Sequence, residues 1–148
     1  MQIQIVLFYL NDVKYGVPLG SVERVVPALT VNSLPNAPEI ILGAVNLHGD
    51  IIPVINLRER FRLPAKDIDP DDKLIIAHTG HRPVAFLVDE VEGVVGFDDS
   101  KIIDGEKIFP DMPYVKGVLG TDDGMIIIND ISLFLSLDEE SKLSMALG

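Results

Sequence analysis

The chain has 148 residues, 47% of them hydrophobic, and a formal net charge of −11. Its length allows one domain with a sizeable core, and its negative charge argues against nucleic acid and anionic membranes, which attract cationic surfaces. Cysteine is absent, which excludes disulfides and thiolate metal sites. No apolar run approaches the ~20 residues of a membrane span, and the N-terminus lacks a signal-peptide pattern, so we expect a cytoplasmic protein without direct membrane insertion.

The first half of the chain has the composition of short strands separated by turns. The strands predicted there are Gln2–Leu10, Val13–Pro18, 28–34, 44–47 and 51–55. Asn11-Asp12 is expected to form the first turn, and Gly49 supplies a position that tolerates positive φ in the last hairpin. Asn56 and Glu59 have the spacing of a helix N-cap, so a short helix is predicted to run to Phe61.

The second half repeats this order of elements. Its predicted strands are 74–79, Pro83–Val88, 91–97, 115–119 and 125–128. Asp122-Asp123-Gly124 is expected to be the last hairpin turn, and a short helix capped by Asn129 or Asp130 is predicted over 131–137. The acidic segment 65–72 is interpreted as a connector. The tail, 138–148, has the pattern of an amphipathic helix, with apolar residues at Leu143 and Leu147.

An internal duplication underlies this order. Residues 4–26 align with 73–95 without a gap, so that Val22 matches Val91 and Val25 matches Val94. Asn56 likewise matches Asn129. We interpret 1–148 as one domain of two repeated subdomains, roughly 1–64 and 73–137. Many short strands predict an all-β fold in which two small barrels share a core, because neither would bury enough apolar surface alone.

Four segments resemble the CheW family of chemotaxis coupling proteins. They are YGVPLGSVERVV (15–26), LPNAPEIILGAVNLHGDIIPVINLRERF (34–61), FLVDEVEGV (86–94) and YVKGVLGTDDGMIIINDISLFL (114–135). The resemblance implies two intertwined five-stranded SH3-like β-barrels packed on a common core, with short helices and a C-terminal helical tail. It also implies a non-catalytic adaptor between the cytoplasmic tip of a chemoreceptor and the regulatory domain of the histidine kinase CheA. A CheW-like module of another chemosensory-type pathway, such as surface motility, remains an alternative.

The same resemblance implies two binding surfaces. The receptor groove would contain Val22, Arg24, Val25, Val91 and Val94. The kinase surface would contain Leu34, Pro35, Ile40, Gly43, His48 and Ile51. In the alternative interpretation, these residues have no role in binding: the valines belong to the core, Arg24 is solvated, Ile40 is packing and Gly43 serves only the backbone.

His48 departs from the family pattern. The family usually reads NLRG where this chain reads NLHG, and the arginine is associated with coupling. Histidine is mostly neutral at pH 7 and cannot form a bidentate pair with a carboxylate. His48 is therefore either an altered contact or a solvated residue at the hairpin tip.

Motifs for catalysis or cofactor binding are absent from the sequence. A calcium loop starting at Asp67 would need glycine at its sixth position and glutamate at its twelfth, where Asp72 and His78 stand. Phosphate-binding and nucleophile-elbow glycine patterns are also missing. We expect no cofactor and no metal. A small β-barrel hydrolase using Asp122 and Asp123 is the alternative from another functional class, and an exposed hairpin at these residues would rule it out.

Overall fold

The computed structural model describes residues 1–147. The strands within this range are β1 (Gln2–Leu10), β2 (Val13–Pro18), β3 (Val22–Pro27), β4 (Ile41–Leu47), β5 (Asp50–Ile55), β6 (Lys73–His78), β7 (Pro83–Val88), β8 (Glu90–Asp98), β9 (Ile102–Asp104), β10 (Val115–Thr121) and β11 (Gly124–Asn129). The α-helices are α1 (Leu57–Arg60), α2 (Gly105–Ile108) and α3 (Leu137–Leu147). Single 3-10 turns occupy Leu19–Ser21, Asp99–Lys101 and Ile131–Leu133.

The strands form two sheets, and each sheet draws strands from both halves of the chain. One has six strands in the order β8-β1-β2-β11-β10-β9, and the other has five in the order β3-β6-β7-β5-β4. Neighbouring strands are antiparallel except for β2 with β11 and β5 with β7, which are parallel. The third strand of each half, β3 or β8, pairs with the first strand of the other half, β6 or β1. This exchange confirms the intertwined all-β architecture.

Both faces of the first strand of each half are buried. On β1, Ile5 and Leu7 pack inside the six-stranded sheet, whereas Phe8 belongs to a cluster shared by the two sheets. On β6, Leu74 and Ile75 divide in the same way between an inner cluster and the shared one. Since successive side chains point to opposite faces, a strand covered on both sides needs a continuous apolar sequence. The runs in β1 and β6 are therefore a requirement of the shared core.

Aromatic rings fill the centre of the shared cluster. Phe8 lies 5.8 Å from Phe86, and Phe86 lies 5.8 Å edge-on from Phe134, measured between ring centroids. Helix α3 closes one side with Leu143, which is completely buried. Two ion pairs hold this helix, because Arg60 and Arg82 donate to Glu139 and Glu140 at 2.6 and 2.5 Å. The expected amphipathic tail helix is thus confirmed, except for Gly148, which lies outside the described residues.

Several predicted boundaries were wrong. The third strand of the first half lies at Val22–Pro27, not at 28–34, where only an isolated bridge joins Asn32 to Ala44. The short strand β9 and helix α2 were not predicted, and β9 gives one sheet six strands instead of five. In place of a helix over 131–137 there is a 3-10 turn capped by Asp130, and α3 begins at Leu137. Proline and turn residues led to these errors. Such residues mark where a strand or helix ends, but they do not show which of the flanking segments pairs with another strand.

Candidate partner-binding surfaces

A β-bulge occurs at the same aligned position in β3 and β8. On β3, Val22 pairs with Ala77 and Arg24 with Ile76, so that Glu23 is the extra residue. On β8, Glu92 is extra in the same way, between the pairs that Val91 and Gly93 make with β1. Both strands lie at an edge of their sheet. A bulge adds one residue to one strand and therefore reverses the alternation of its side chains.

The bulges place each pair of duplicated valines on one sheet face. Val91 and Val94 pair with Phe8 and Val6, which are two residues apart on β1. Directly opposed residues of a ladder lie on the same face, as do residues two apart. Val91 and Val94 therefore share the face that carries the common core, although they are three residues apart. The register of β3 gives Val22 and Val25 the same relation, through Ala77 and Ile75.

Within each pair, one valine is covered and the other is accessible. Val22 and Val91 are partly buried and pack against the shared cluster. Val25 and Val94 expose 40% and 52% of their surface. The interpretation of all four valines as core therefore fits only the inner pair. The outer pair extends the apolar face that carries the common core into solvent on both edge strands.

Arg24 lies on the opposite face of β3 from these valines, because it pairs with Ile76. Its side chain is 47% exposed, and its nearest carboxylate is that of Glu23, at 4.0 Å. An exposed pair at that distance contributes little to stability. Arg24 is consequently a solvent-exposed cation without a strong ion pair.

The β4–β5 hairpin presents His48 and Ile51 to solvent. His48 and Gly49 have φ of +52° and +94°, and the Gly49 amide donates to the Asn46 side-chain oxygen at 2.8 Å. His48 is exposed, and Ile51 exposes 55% of its surface. A left-handed backbone is unusual for a residue other than glycine, so the turn holds the imidazole outward at a local cost.

A pocket of about 370 Å³ joins this hairpin to β3. Its lining residues are Glu23, Arg24, Leu47, His48, Asp50, Ile51, Ile52 and Pro83. The structure thus brings together Arg24, from the expected receptor surface, with His48 and Ile51, from the expected kinase surface. The described residues that line this pocket do not include Leu34 and Pro35. These two residues lie in the segment between β3 and β4, where Leu34 packs against the shared cluster and Pro35 is exposed.

Two residues of the expected kinase surface lie in the interior. Ile40 is 4% exposed and belongs to the shared cluster. Gly43 is buried, and a Cβ atom built on it would overlap the carbonyl oxygen of Asn32 and lie 2.7 Å from Val31 Cγ1. Gly43 therefore allows the bridge of Asn32 to β4. Both positions fit the alternative interpretation, in which Ile40 is packing and Gly43 serves only the backbone.

Sequence reasoning did not anticipate the ionic cluster that fixes the start of β8. Asp89 precedes this strand and accepts from the Asn11 amide at 2.9 Å, from Arg58 at 2.6 Å and from Lys66 at 3.3 Å. Partial burial alone would raise the pKa of Asp89, but these donors outweigh it and hold the pKa below its usual range. Lys66 also bonds Asp72 at 3.3 Å. The cluster ties the connector and α1 to the strand that carries Val91 and Val94.

Asp122 and Asp123 lie at the exposed turn between β10 and β11. Asp123 pairs with Lys14 at 2.8 Å while its side chain remains 70% exposed. The Lys14 ammonium holds the pKa of Asp123 below its usual range, which keeps this carboxylate ionised. These are features of a surface ion pair, and they remove the hydrolase alternative. In residues 1–147, no group of three or more His, Asp or Glu side chains is arranged to bind a metal.

Helices long and apolar enough to cross a membrane do not occur in the described part of the chain.

The comparisons with known proteins agree with this fold. The family model of the CheW-like domain matches residues 4–139. The chain belongs to the CheW-like family. It is 26% identical over 149 residues to the chemotaxis protein CheW of Treponema pallidum (strain Nichols), covering 97% of this chain and 88% of the relative. It is 28% identical over 138 residues to the chemotaxis protein CheW of Klebsiella aerogenes, covering 92% and 83%.

A solved structure has the same fold along almost the whole chain. The crystal structure of the scaffolding protein TtCheW from Thermoanaerobacter tengcongensis superposes with a TM-score of 0.84 and 32% identity, covering 94% of this chain and 96% of that one. The resemblance seen in the sequence is thereby confirmed. As a CheW-like protein, the chain is a non-catalytic scaffold of chemotaxis signalling.

Proposed function

We propose that this CheW-like protein couples the cytoplasmic tips of chemoreceptors to the histidine kinase CheA. The observation that carries the proposal is the placement of Val25 and Val94. Both are exposed, both continue the apolar face that carries the common core, and both occupy edge strands related by the duplication. An amphipathic helix of a receptor tip would find an apolar wall on each side of such a groove.

Such a groove would suit a signalling contact, because its outer and inner residues have different tasks. Val25 and Val94 offer apolar surface that a partner can cover, and the inner valines hold both edge strands on the common core. Arg24, on the other face of the edge strand β3, adds a cation that would pair with an acidic group of the receptor. A partner that distinguishes two arrangements of the groove can change the kinase equilibrium without any chemical step.

The kinase contact in this proposal consists of Leu34, Pro35, His48 and Ile51. Exposed Ile51 provides the apolar centre, and His48 lies on the same hairpin and lines the same pocket. The pocket that these two residues share with Arg24 supports a kinase contact next to the receptor contact. Two partners held side by side gain effective concentration for one another, which is the work of an adaptor.

The receptor contact is tested with Val25→Asp and Val94→Asp. Each variant should keep its fold, because the native side chain is already 40% or 52% exposed. Each should weaken binding to a receptor cytoplasmic fragment by about 100-fold, since an unpaired charge in an apolar interface costs a few kcal/mol. Binding is measured by titration calorimetry with the organism's receptor fragments, and folding by circular dichroism.

Ile103→Asp is the matched control, because Ile103 is 50% exposed on β9. It should bind receptor fragments like the unmodified protein. Val22→Asp and Val91→Asp should instead lower the melting temperature, since their side chains pack on the core. Equal receptor affinity in Val94→Asp, Val25→Asp and the control would refute the groove.

The kinase contact is tested separately against the CheA regulatory domain. Ile51→Asp should weaken this complex at unchanged fold. His48→Arg should change its affinity, because arginine adds a permanent charge and a bidentate donor at the same place. Unchanged affinity in both variants would show that this hairpin does not contact the kinase. That result would not bear on the receptor groove, which is tested separately.

A further inference from the structure

The bulge divides β8 into two parts. Glu92 is the extra residue there, and Gly93 beside it has a φ of +137°. A bulge interrupts the strand ladder, and glycine can take up a change of backbone angle that other residues resist. The bulge therefore separates residues 89–92, which we call the leading segment, from the rest of β8.

The leading segment carries one of the proposed groove residues. Val91 lies on it and packs against the shared cluster, whereas Val94 lies on the other side of the bulge. Two ladder pairs, of Glu90 with Tyr9 and of Val91 with Phe8, join the segment to β1. Since β8 is an edge strand, β1 is its only ladder partner within residues 1–147. The orientation of the segment therefore depends on contacts outside the ladder.

Asp89 provides such contacts at the start of the segment. Its carboxylate accepts from Arg58 Nη2 at 2.6 Å and from the Asn11 amide at 2.9 Å. Arg58 also donates through Nη1 to the Asn11 side-chain oxygen at 2.7 Å. These bonds form a closed ring that joins α1, the β1–β2 turn and the leading segment. The Arg58 side chain is only 12% exposed, so its charged hydrogen bonds are stronger than those of a surface ion pair.

The duplication shows that the other edge strand lacks this anchor. In the alignment of 4–26 with 73–95, Asp89 falls on Gly20, which has no side chain to accept a hydrogen bond. Gly20 belongs to the 3-10 turn before β3, and a Cβ atom built on it would meet nothing within 4 Å. A carboxylate anchor is therefore particular to the β8 side of the groove.

We propose that Arg58 is a positioning residue for the receptor groove, which through Asp89 holds the leading segment of β8, and with it Val91, in the orientation that binds a receptor helix. This inference rests on the proposed function and adds the element that controls its groove. Without Arg58 the segment can turn at Gly93, so that fewer molecules have Val91 and Val94 on one face. The apparent receptor affinity then falls in proportion to the fraction that is still competent to bind.

The kinase contact should not respond in this way. It lies on the β4–β5 hairpin of the five-stranded sheet, whereas the leading segment belongs to the six-stranded sheet. A selective loss of receptor binding therefore distinguishes positioning from a general loss of stability.

Arg58→Leu and Arg60→Leu form a matched pair on the same helix. Both remove an arginine with an ion pair of 2.6 Å, but Arg60 pairs with Glu139 of α3. Arg58→Leu should raise the dissociation constant of a receptor cytoplasmic fragment about tenfold, as when about one molecule in ten is competent to bind. Its affinity for the CheA regulatory domain should stay unchanged. Arg60→Leu should bind both partners like the unmodified protein.

Arg58→Lys is the conservative variant. Lysine keeps the charge but cannot bond Asp89 and Asn11 with a planar fork, so it should restore part of the lost receptor affinity. An increase of the dissociation constant of about threefold is expected. This variant also decides the matter if Arg58→Leu does not fold, as judged by circular dichroism.

Backbone hydrogen exchange, followed by NMR, gives a measurement without any partner. Exchange in Arg58→Leu should become faster at residues 89–92 and stay unchanged in β3, because only the leading segment loses its anchor. In Arg60→Leu the exchange at residues 89–92 should match that of the unmodified protein.

Unchanged receptor affinity in both folded Arg58 variants would overturn the proposal. An equal fall in receptor and kinase affinity would overturn it too, as would exchange at residues 89–92 no faster than in Arg60→Leu. Failure of the proposed function has a different signature: Val25→Asp and Val94→Asp would then bind receptor fragments normally, while exchange of the leading segment would still respond to Arg58→Leu.

Discussion

Gly43 lies where the segment after β3 crosses closest to β4, and a methyl group there should destabilise the protein. A Cβ on Gly43 would overlap the Asn32 carbonyl oxygen, which is backbone and cannot rotate away. The segment would have to withdraw. Its two hydrogen bonds with Ala44, both 2.8 Å, would be lost.

The size of the effect follows from these contacts. Two backbone bonds are worth about 1 kcal/mol each, and overpacking a closed site costs about 1–3 kcal/mol. Replacing glycine by alanine returns about 0.4–1 kcal/mol by restricting the unfolded chain. Gly43→Ala should therefore lower the free energy of unfolding by about 2–4 kcal/mol. For a domain of this size that is a fall in melting temperature of about 4 °C or more.

Gly20→Ala is the matched control, because a Cβ at Gly20 meets nothing within 4 Å. Both variants are compared by thermal and urea unfolding, together with their affinity for the CheA regulatory domain. Gly43→Ala should lose stability, and any loss of kinase affinity should disappear under conditions where the variant is fully folded. If Gly43→Ala melts like Gly20→Ala, the close approach of Asn32 is not maintained in solution and the reasoning fails.

Three further results are expected. Leu143→Ala should cost about 2–4 kcal/mol, because Leu143 is completely buried, whereas Met145→Ala, at a residue 80% exposed on the same helix, should change unfolding by less than about 0.5 kcal/mol; equal effects would refute the docking of α3. Asn56→Ala should cost about 1 kcal/mol through loss of the α1 cap, seen in urea unfolding, and no change would contradict the cap. Asp89 has a lowered folded pKa, so its stabilisation is present above an unfolded pKa of ~3.9 and is lost as pH falls through the folded value. Asp89→Asn should thus destabilise the protein at neutral pH and flatten the pH dependence of unfolding below about pH 4; an unchanged profile would refute the donor cluster around Asp89.

Local patterns in the sequence were sufficient for most strands and turns. The first strand, β1, was predicted with its observed bounds because an apolar run ending at Asn11-Asp12 has few other solutions. The cap at Asn56 was equally local, since donor and acceptor are three residues apart. The duplication and the family resemblance were also present in the residues themselves.

The partly correct site illustrates the limit of such patterns. Val22 and Val25 have the same residue type and nearly the same neighbours, yet one is covered and the other is 40% exposed. The bulge at Glu23 puts both valines on one face, and packing against the shared cluster then covers Val22 alone. Neither the bulge nor that packing has a signal in the local composition.

What the sequence by itself determined was which segments are extended, where they turn and which two halves correspond. Only the tertiary structure decided which distant segments lie together and which residues they bury. Strands β3 and β8 exchange between the halves, and Asn32 approaches Gly43. Asn129 is buried, and Arg24 lines the same pocket as His48. The physical reason is the distance along the chain over which each kind of interaction acts. Strand propensity and capping are settled within a few residues, whereas burial and pairing depend on contacts between segments far apart in the chain, which are formed only when both sheets are in place.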